Sequence, residues 1–374
     1  MLISDNAGLR GVCKRWMSAD LIGVDTEFVR ERTYYPCPGL IQVSDPDGVT
    51  LVDPTTISDF GPLAELLTNG SVIKLMHAGD EDLDVLYLLS GVTPLRVFDT
   101  QLAGAFSGYG FSSSYANLVE VLLGVVLDKG LTRSNWLKRP LSSAQLHYAS
   151  EDVLHLASLH KRLSRELEKL GRVKAFEEEL QHRRYAWALS RKPEAAYMRV
   201  KRRGKLAPRE HAVLRALTEF REVEAMACDI PRRHLLTDEV LLALASKPDL
   251  DAGSLGDIKG LSPRARIRYG KKLLSCIDAA RAEGPTVLDR PKSLRPYAET
   301  LVRLKEIVKV EADTRSLPAE LIASRRALEA LVVSVVASDD IPHEFKGWRF
   351  EVVTQRLLDS ISGEALHAEP RQSQ

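Results

Sequence analysis

The sequence predicts an α/β domain followed by an all-helical tail, and three observations carry that prediction. Short apolar or β-branched runs alternate with helical stretches through the first third of the chain. From Ser142 onward the apolar spacing turns helical. A basic stretch broken by Gly204 and Pro208 then separates what precedes it from a helical remainder.

The elements follow in order. Leu21 to Val29, Gly39 to Ser44, Val49 to Val52 and Val72 to Met76 are short runs bounded by turn residues and read as strands. Helical segments fall at Pro62–Leu67, Glu81–Leu89 and Tyr115–Leu123. Ser142 with Gln145 three residues on forms a capping box, so a helix is expected to start there and to run without interruption to about Arg191. Arg199 to Arg209 (RVKRRGKLAPR) is the clearest boundary. Beyond it the chain repeats itself at an offset of 87 residues: Ile230-Pro231 matches Leu317-Pro318, Leu241 matches Leu328, and Lys259-Gly260 matches Lys346-Gly347. The duplication implies two small all-α domains.

Composition limits the function classes. With 374 residues, 44% of them hydrophobic, the chain can bury more than one core. A net charge of +1 gives no global cationic field, so a polyanion site has to come from local segregation of 52 basic and 51 acidic side chains. Cys13, Cys37, Cys228 and Cys276 form no disulfide framework and no zinc spacing. Met1 to Trp16 lacks an apolar signal core, and no stretch approaches membrane-spanning length, so a cytoplasmic protein without membrane contact is expected.

Three acidic segments stand out. Asp25 and Glu27, at i and i+2 of an apolar strand, project from one face. Two carboxylates there cost several kcal/mol unless something neutralises them. His77 to Leu86 (HAGDEDLDVL) places acids where a strand hands over to a helix, and composition does not separate Asp80, Glu81, Asp82 and Asp84. Tyr148 and Asp152 are one helical turn apart and adjacent on one face. Converging, such hard oxygen ligands suit Mg²⁺ or Mn²⁺, and a pair of such ions suits in-line attack on a phosphodiester.

Asp25 to Pro36 (DTEFVRERTYYP), His77 to Leu83 (HAGDEDL) and Arg139 to Val153 (RPLSSAQLHYASEDV) resemble the ribonuclease D family, in the tyrosine branch of the Asp-Glu-Asp-Asp exonucleases. The resemblance covers essentially the whole chain. It implies a ribonuclease H-like α/β domain, a mixed sheet flanked by helices, over residues 1–195. A basic linker at 196–207 and two HRDC-like helical domains at 208–286 and 290–374 would follow. It also implies a 3′–5′ exoribonuclease with two divalent ions, Mg²⁺ or Mn²⁺, acting as a monomer on tRNA precursors and other structured RNA 3′ ends. Asp25, Glu27, Asp82 and Asp152 become the metal ligands, Asp25 bridging both ions, and Tyr148 orients the attacking water. The superfamily's other branch uses a histidine five residues before the last Asp, and His147 has that spacing. On a helix starting near Ser142, position −5 lies about 140° from Asp152, so Tyr148 is favoured. Where the family pattern has Asp, this chain has Asn135.

Further candidates surround this set. His77, Gln42 and Gln101 are possible substrate contacts and equally structural residues, Asp99 is read as fixing a loop, and Tyr34 and Tyr35 either stack on terminal bases or, as often for loop aromatics, pack on the domain. RNA contacts are expected from Lys201, Arg202 and Arg203 in the linker and from Arg264, Arg266 and Arg268 in the first tail domain. Two competing readings are a DNA-directed exonuclease of the same superfamily and a non-catalytic RNA-binding protein.

Overall fold

The computed structural model describes residues 1–128, 134–201, 203, 206–284, 294–337 and 339–365. The chain opens with β1 (Leu2–Ile3) and α1 (Asn6–Trp16), followed by β2 (Leu21–Val29), β3 (Cys37–Asp45), β4 (Gly48–Val52), α2 (Gly61–Thr68) and β5 (Ile73–Met76). Next come α3 (Asp80–Ser90), β6 (Val97–Asp99), α4 (Thr100–Phe106), α5 (Tyr115–Leu123), α6 (Ser143–Leu154), α7 (Leu156–Lys169) and α8 (Val173–Ser190). The six strands form one sheet in the order β1-β4-β3-β2-β5-β6. Neighbouring pairs β2/β3 and β3/β4 run antiparallel, while β1/β4, β2/β5 and β5/β6 run parallel. The predicted mixed sheet is present, with β2 near its centre.

Sequence explains most of these elements locally. In α1, Leu9, Val12, Cys13 and Trp16 recur at helical spacing and are buried, and Asp5 caps the helix by accepting the Gly8 N–H at 2.8 Å. Helices α3 and α5 both stop at left-handed glycines, Gly91 (φ 72°) and Gly124 (φ 71°). Three short elements, β1, β6 and α4, escaped the sequence reading because two, three and seven residues carry too little periodicity. The longer α1 was missed as well: its apolar stripe is interleaved with Arg10, Lys14 and Arg15.

One expectation needs correcting. The stretch from Ser142 to Arg191 is not one uninterrupted helix: it breaks at His155 (φ −100°, ψ 1°) and again at Gly171 (φ 65°). Gly171 supplies the second break by entering the left-handed region. A side chain from α5 supplies the first.

The tail continues with α9 (Pro208–Cys228), α10 (Arg232–Leu235), α11 (Asp238–Ser246), α12 (Pro263–Ala282), α13 (Ala298–Arg315), α14 (Ala319–Ile322), α15 (Arg325–Val336) and α16 (Gln355–Ala365). Both copies of the repeat pass through the same sequence of long helix, short helix, helix, 3₁₀ turn and closing helical segment. The chain divides into two compact units. The first comprises Met1–Arg30, Pro36–Gln181 and Lys309–Ile322; the second comprises Glu31–Tyr35, His182–Val308 and Ala323–Gln374. Within the second, Leu214, Leu217, Leu241, Leu244, Leu273 and Ile277 build a fully buried helical core.

Candidate active site

The site starts from β2. Asp25 and Glu27 share one face, opposite Gln42 and Leu40 of β3, and the register slips between Glu27 and Phe28. Such a bulge bends a strand and re-aims its side chains. Phe28 lines the same cleft as both acids. Thr26, between them, points its backbone N–H (3.0 Å) and its hydroxyl at Asp82 Oδ1. Asp82 lies in the first turn of α3, where the helix dipole favours a carboxylate, and is buried. The four acids of that segment thereby separate: Asp80 and Glu81 are exposed, Glu81 at the cleft's edge, and Asp84 pairs with Arg30 at 3.2 Å.

Helix α6 brings the third segment. Its capping box forms as expected, the Gln145 N–H donating to Ser142 Oγ at 3.2 Å while Gln145 Oε1 accepts the Ser142 N–H at 3.0 Å. From that start, Tyr148 and Asp152 both face the cleft and the Tyr148 hydroxyl donates to Asp152. His147 is exposed and does not line the cleft. Oxygens of Asp25, Glu27 and Asp152 all lie within 4.8 Å of one another. Asp82 completes the wall of the same cleft, which holds about 290 Å³.

Electrostatics identify what the cleft lacks. Among the described residues, no ion pair reaches any of the four acids. Desolvation, then repulsion from Asp82, Asp152 and Glu27, holds the Asp25 pKa well above the ordinary carboxylate range. Burial, then Asp152 and Asp82, lifts Glu27 to about 8. Desolvation lifts Asp82 to about 7 against the Thr26 hydrogen bonds, and Asp152 to about 6 against that of Tyr148. Four acids gathered from three segments and left without a cation are destabilised unless one arrives. An all-oxygen donor set of this kind fits a hard divalent ion. Tyr148 is itself shifted upward, by burial and by Asp152, Glu27 and Asp25, so its phenol keeps its proton at neutral pH.

Other candidate residues sort differently. His77 binds Thr100 Oγ1 through Nδ1 (2.9 Å) and the Ser113 carbonyl through Nε2 (3.1 Å), and Gln101 donates to the same carbonyl. His77 also lines the cleft. Asp99 caps α4 through the Leu102 N–H at 2.9 Å, fixing the junction as expected. Gln42 is wholly buried opposite Asp25, and neither end of its amide has a partner among the described residues. Of the two readings for Tyr34, the structure takes packing: its hydroxyl donates to the buried Glu222 at 2.6 Å, and its ring packs against the second unit's core. Asn135 caps the Leu137 N–H at 3.1 Å. In the second unit Lys201, Arg264, Arg266 and Arg268 are exposed, Arg268 at 3.9 Å from Glu224; Arg203 donates to the Val200 carbonyl, and Arg202 lies outside the described residues. Arg199, also in the linker, is committed to Glu222 at 2.7 Å.

Sequence reasoning missed three neighbours of the acids. Thr26 sits between two acids and was legible only once Asp82 was placed. The bulge that brings Phe28 to the cleft leaves no mark on the residue types. Tyr115 was recognised only as a helix start, yet it lines the cleft.

Comparison with known proteins gives the family. Residues 1–168 match the 3′–5′ exonuclease family model and residues 210–277 match that of the HRDC domain. The chain is 37% identical over 368 residues to ribonuclease D of Pseudomonas paraeruginosa, covering 96% of each chain. It is 33% identical over 369 residues to that of Escherichia coli, again covering 96% of each. The crystal structure of Escherichia coli RNase D, described as an exoribonuclease involved in structured RNA processing, superposes with a TM-score of 0.87 at 30% identity, covering 97% of this chain and 98% of that one. The chain therefore belongs to the ribonuclease D family of hydrolytic 3′–5′ exoribonucleases.

Proposed function

We propose that this enzyme trims the 3′ ends of structured RNA precursors, tRNA precursors above all, releasing nucleoside 5′-monophosphates. The observation that carries the reading is the convergence of Asp25, Glu27 and Asp152 within 4.8 Å, with Asp82 in the same wall and no cationic side chain among the described residues to neutralise them. In this reading the four acids hold two divalent ions, Mg²⁺ or Mn²⁺. When bound, such ions stabilise the charge that develops on the attacking and leaving oxygens of the phosphodiester.

The chain's own residues do the rest. Tyr148 keeps its proton and donates it to Asp152, leaving its phenol lone pairs to accept an O–H from the attacking water. That fixes the direction of attack and makes Tyr148 a positioning group rather than a general base. Thr26 holds Asp82 by two hydrogen bonds, so its carboxylate meets the cleft in one orientation. Lys201, Arg202, Arg203, Arg264, Arg266 and Arg268 offer backbone contacts that read charge and not sequence. The four cysteines are free thiols, which suits a reducing compartment, and we place the protein in the cytoplasm.

The decisive experiment incubates the protein with a tRNA carrying a 3′ extension, with Mn²⁺ or with EDTA, beside a DNA of matching sequence. Products shortened one nucleotide at a time from the 3′ end, dependent on metal and slower on DNA, are expected. Internal cuts, or faster loss of the DNA, would overturn the reading.

A further inference from the structure

The break between α6 and α7 has a specific cause. In a continuous helix the His155 N–H would donate to the Glu151 carbonyl, closing the rung that spans Asp152. Instead the Tyr115 hydroxyl stands between them: it accepts the His155 N–H at 3.0 Å and donates to the Glu151 carbonyl at 3.0 Å. A side chain inserted into the helical ladder is a recognised source of a kink. His155 takes up that kink at φ −100°, ψ 1°, and α7 restarts at Leu156. A second side chain holds the same turn from the sheet, Ser44 Oγ donating to the Val153 carbonyl at 2.8 Å.

Asp152 is thus carried on a turn whose two flanking carbonyls, at 151 and 153, are gripped by residues outside the helix. Tyr115 is itself well held. It opens α5 behind the Ser114 cap, and its ring meets His77 edge-on at 5.7 Å. Both rings line the cleft that contains the acids.

We propose that Tyr115 is a positioning residue for the acidic site: by wedging open the Glu151–His155 rung, its hydroxyl sets the attitude of the turn that aims Asp152 at Asp25 and Glu27. Removing the oxygen lets the rung close, which straightens the helix and turns the Asp152 carboxylate out of the cluster. The inference rests on the proposed metal-binding role of Asp152. Groups that orient metal ligands typically change affinity about 10- to 100-fold when lost.

The test titrates Mn²⁺ calorimetrically into the wild-type protein, Tyr115→Phe and Asp152→Asn, alongside kcat and KM for a 3′-extended RNA at several Mn²⁺ concentrations. Tyr115→Phe keeps the ring and deletes one oxygen, so melting within about 4 °C of wild type is expected. Its Mn²⁺ affinity should fall about 10-fold or more, kcat should recover at saturating Mn²⁺, and KM for RNA should not move. Wild-type Mn²⁺ affinity in Tyr115→Phe beside a loss in Asp152→Asn would overturn the proposal and leave the metal site standing. Undiminished binding in Asp152→Asn would instead sink the reading beneath it. A Tyr115→Phe protein that melts more than about 10 °C early would assign the hydroxyl to folding and overturn the proposal equally.

Discussion

Buried and half-buried acids in this molecule are treated in two opposite ways. In the second unit Glu222, 1% exposed, accepts the Tyr34 hydroxyl at 2.6 Å and the Arg199 guanidinium at 2.7 Å, with Arg232 at 3.6 Å. Asp53 of the first unit receives a two-pronged Arg139, both contacts at 2.6 Å. Burial pushes the Asp53 pKa up, but Arg139 and Thr55 more than offset it, and the group ends below the ordinary range. Asp25, Glu27, Asp82 and Asp152 have no such partner among the described residues, and every one of them is shifted upward. A buried carboxylate met by arginine is part of the scaffold. A group of them met only by Thr26 and Tyr148, and by no cation among the described residues, marks a candidate functional site.

The sharpest way to break this contrast is to neutralise one acid of each kind. Asp152→Asn should cost on the order of 10³-fold in RNA hydrolysis, the upper range for losing one electrostatic stabiliser, while its metal-free melting temperature holds or rises because repulsion falls. Glu222→Ala should do the reverse. Removing one partner of a buried charge cluster costs about 3–5 kcal/mol, so chemical denaturation should register a large loss, with RNA hydrolysis near wild type below the melting range. If the two variants exchanged phenotypes, the distinction drawn here would be wrong.

A smaller effect separates Tyr148 from its neighbour. Tyr148→Phe should lower kcat about 10²-fold, the low end for a positioned proton-handling group, and His147→Ala should stay within about twofold. Equal losses in both, measured on one RNA substrate, would point to the histidine branch instead.

The weakest and broadest effect is on pH. These acids have folded-state pKa values raised above their unfolded values, so the stability they contribute is fully present below about pH 4 and is lost as pH rises through about 6, 7 and 8 for Asp152, Asp82 and Glu27. Divalent metal should reverse that loss, since binding requires the deprotonated forms. The stabilisation on adding Mn²⁺, followed by thermal melting, is expected to widen from pH 6 to pH 8.5, approaching about 3 kcal/mol at ~100-fold excess over the dissociation constant. A gain independent of pH across that window would mean the acids are not the ligands.

How much of this the sequence contained depended on the kind of interaction. Elements with long apolar periodicity or explicit capping, such as β2 over Leu21–Val29 and α6 behind Ser142, lie where the residues placed them. Within the acidic HAGDEDLD segment the residue types were equivalent, and the family motif singled out Asp82. The structure accounts for that choice through Thr26, a contact spanning 56 positions that no local pattern encodes. The Tyr115 wedge was illegible for the same reason: it replaces a backbone rung on α6 with a side chain from a distant segment. Tyr34 stayed undecided between stacking and packing because a tyrosine beside a catalytic motif carries no label for the glutamate, 188 positions on, that receives its hydroxyl.

The tail preserves a subtler record. Asp229 (φ 46°) and Ser316 (φ 49°) each adopt a left-handed backbone that such side chains seldom choose, and they occupy equivalent places 87 residues apart, just before the two Ile/Leu-Pro pairs. Gly260 (φ 89°) and Gly347 (φ 63°) repeat the coincidence further along. The two stretches share few amino acids yet turn at the same offsets. A backbone bend can thus recur where the side chain that makes it does not.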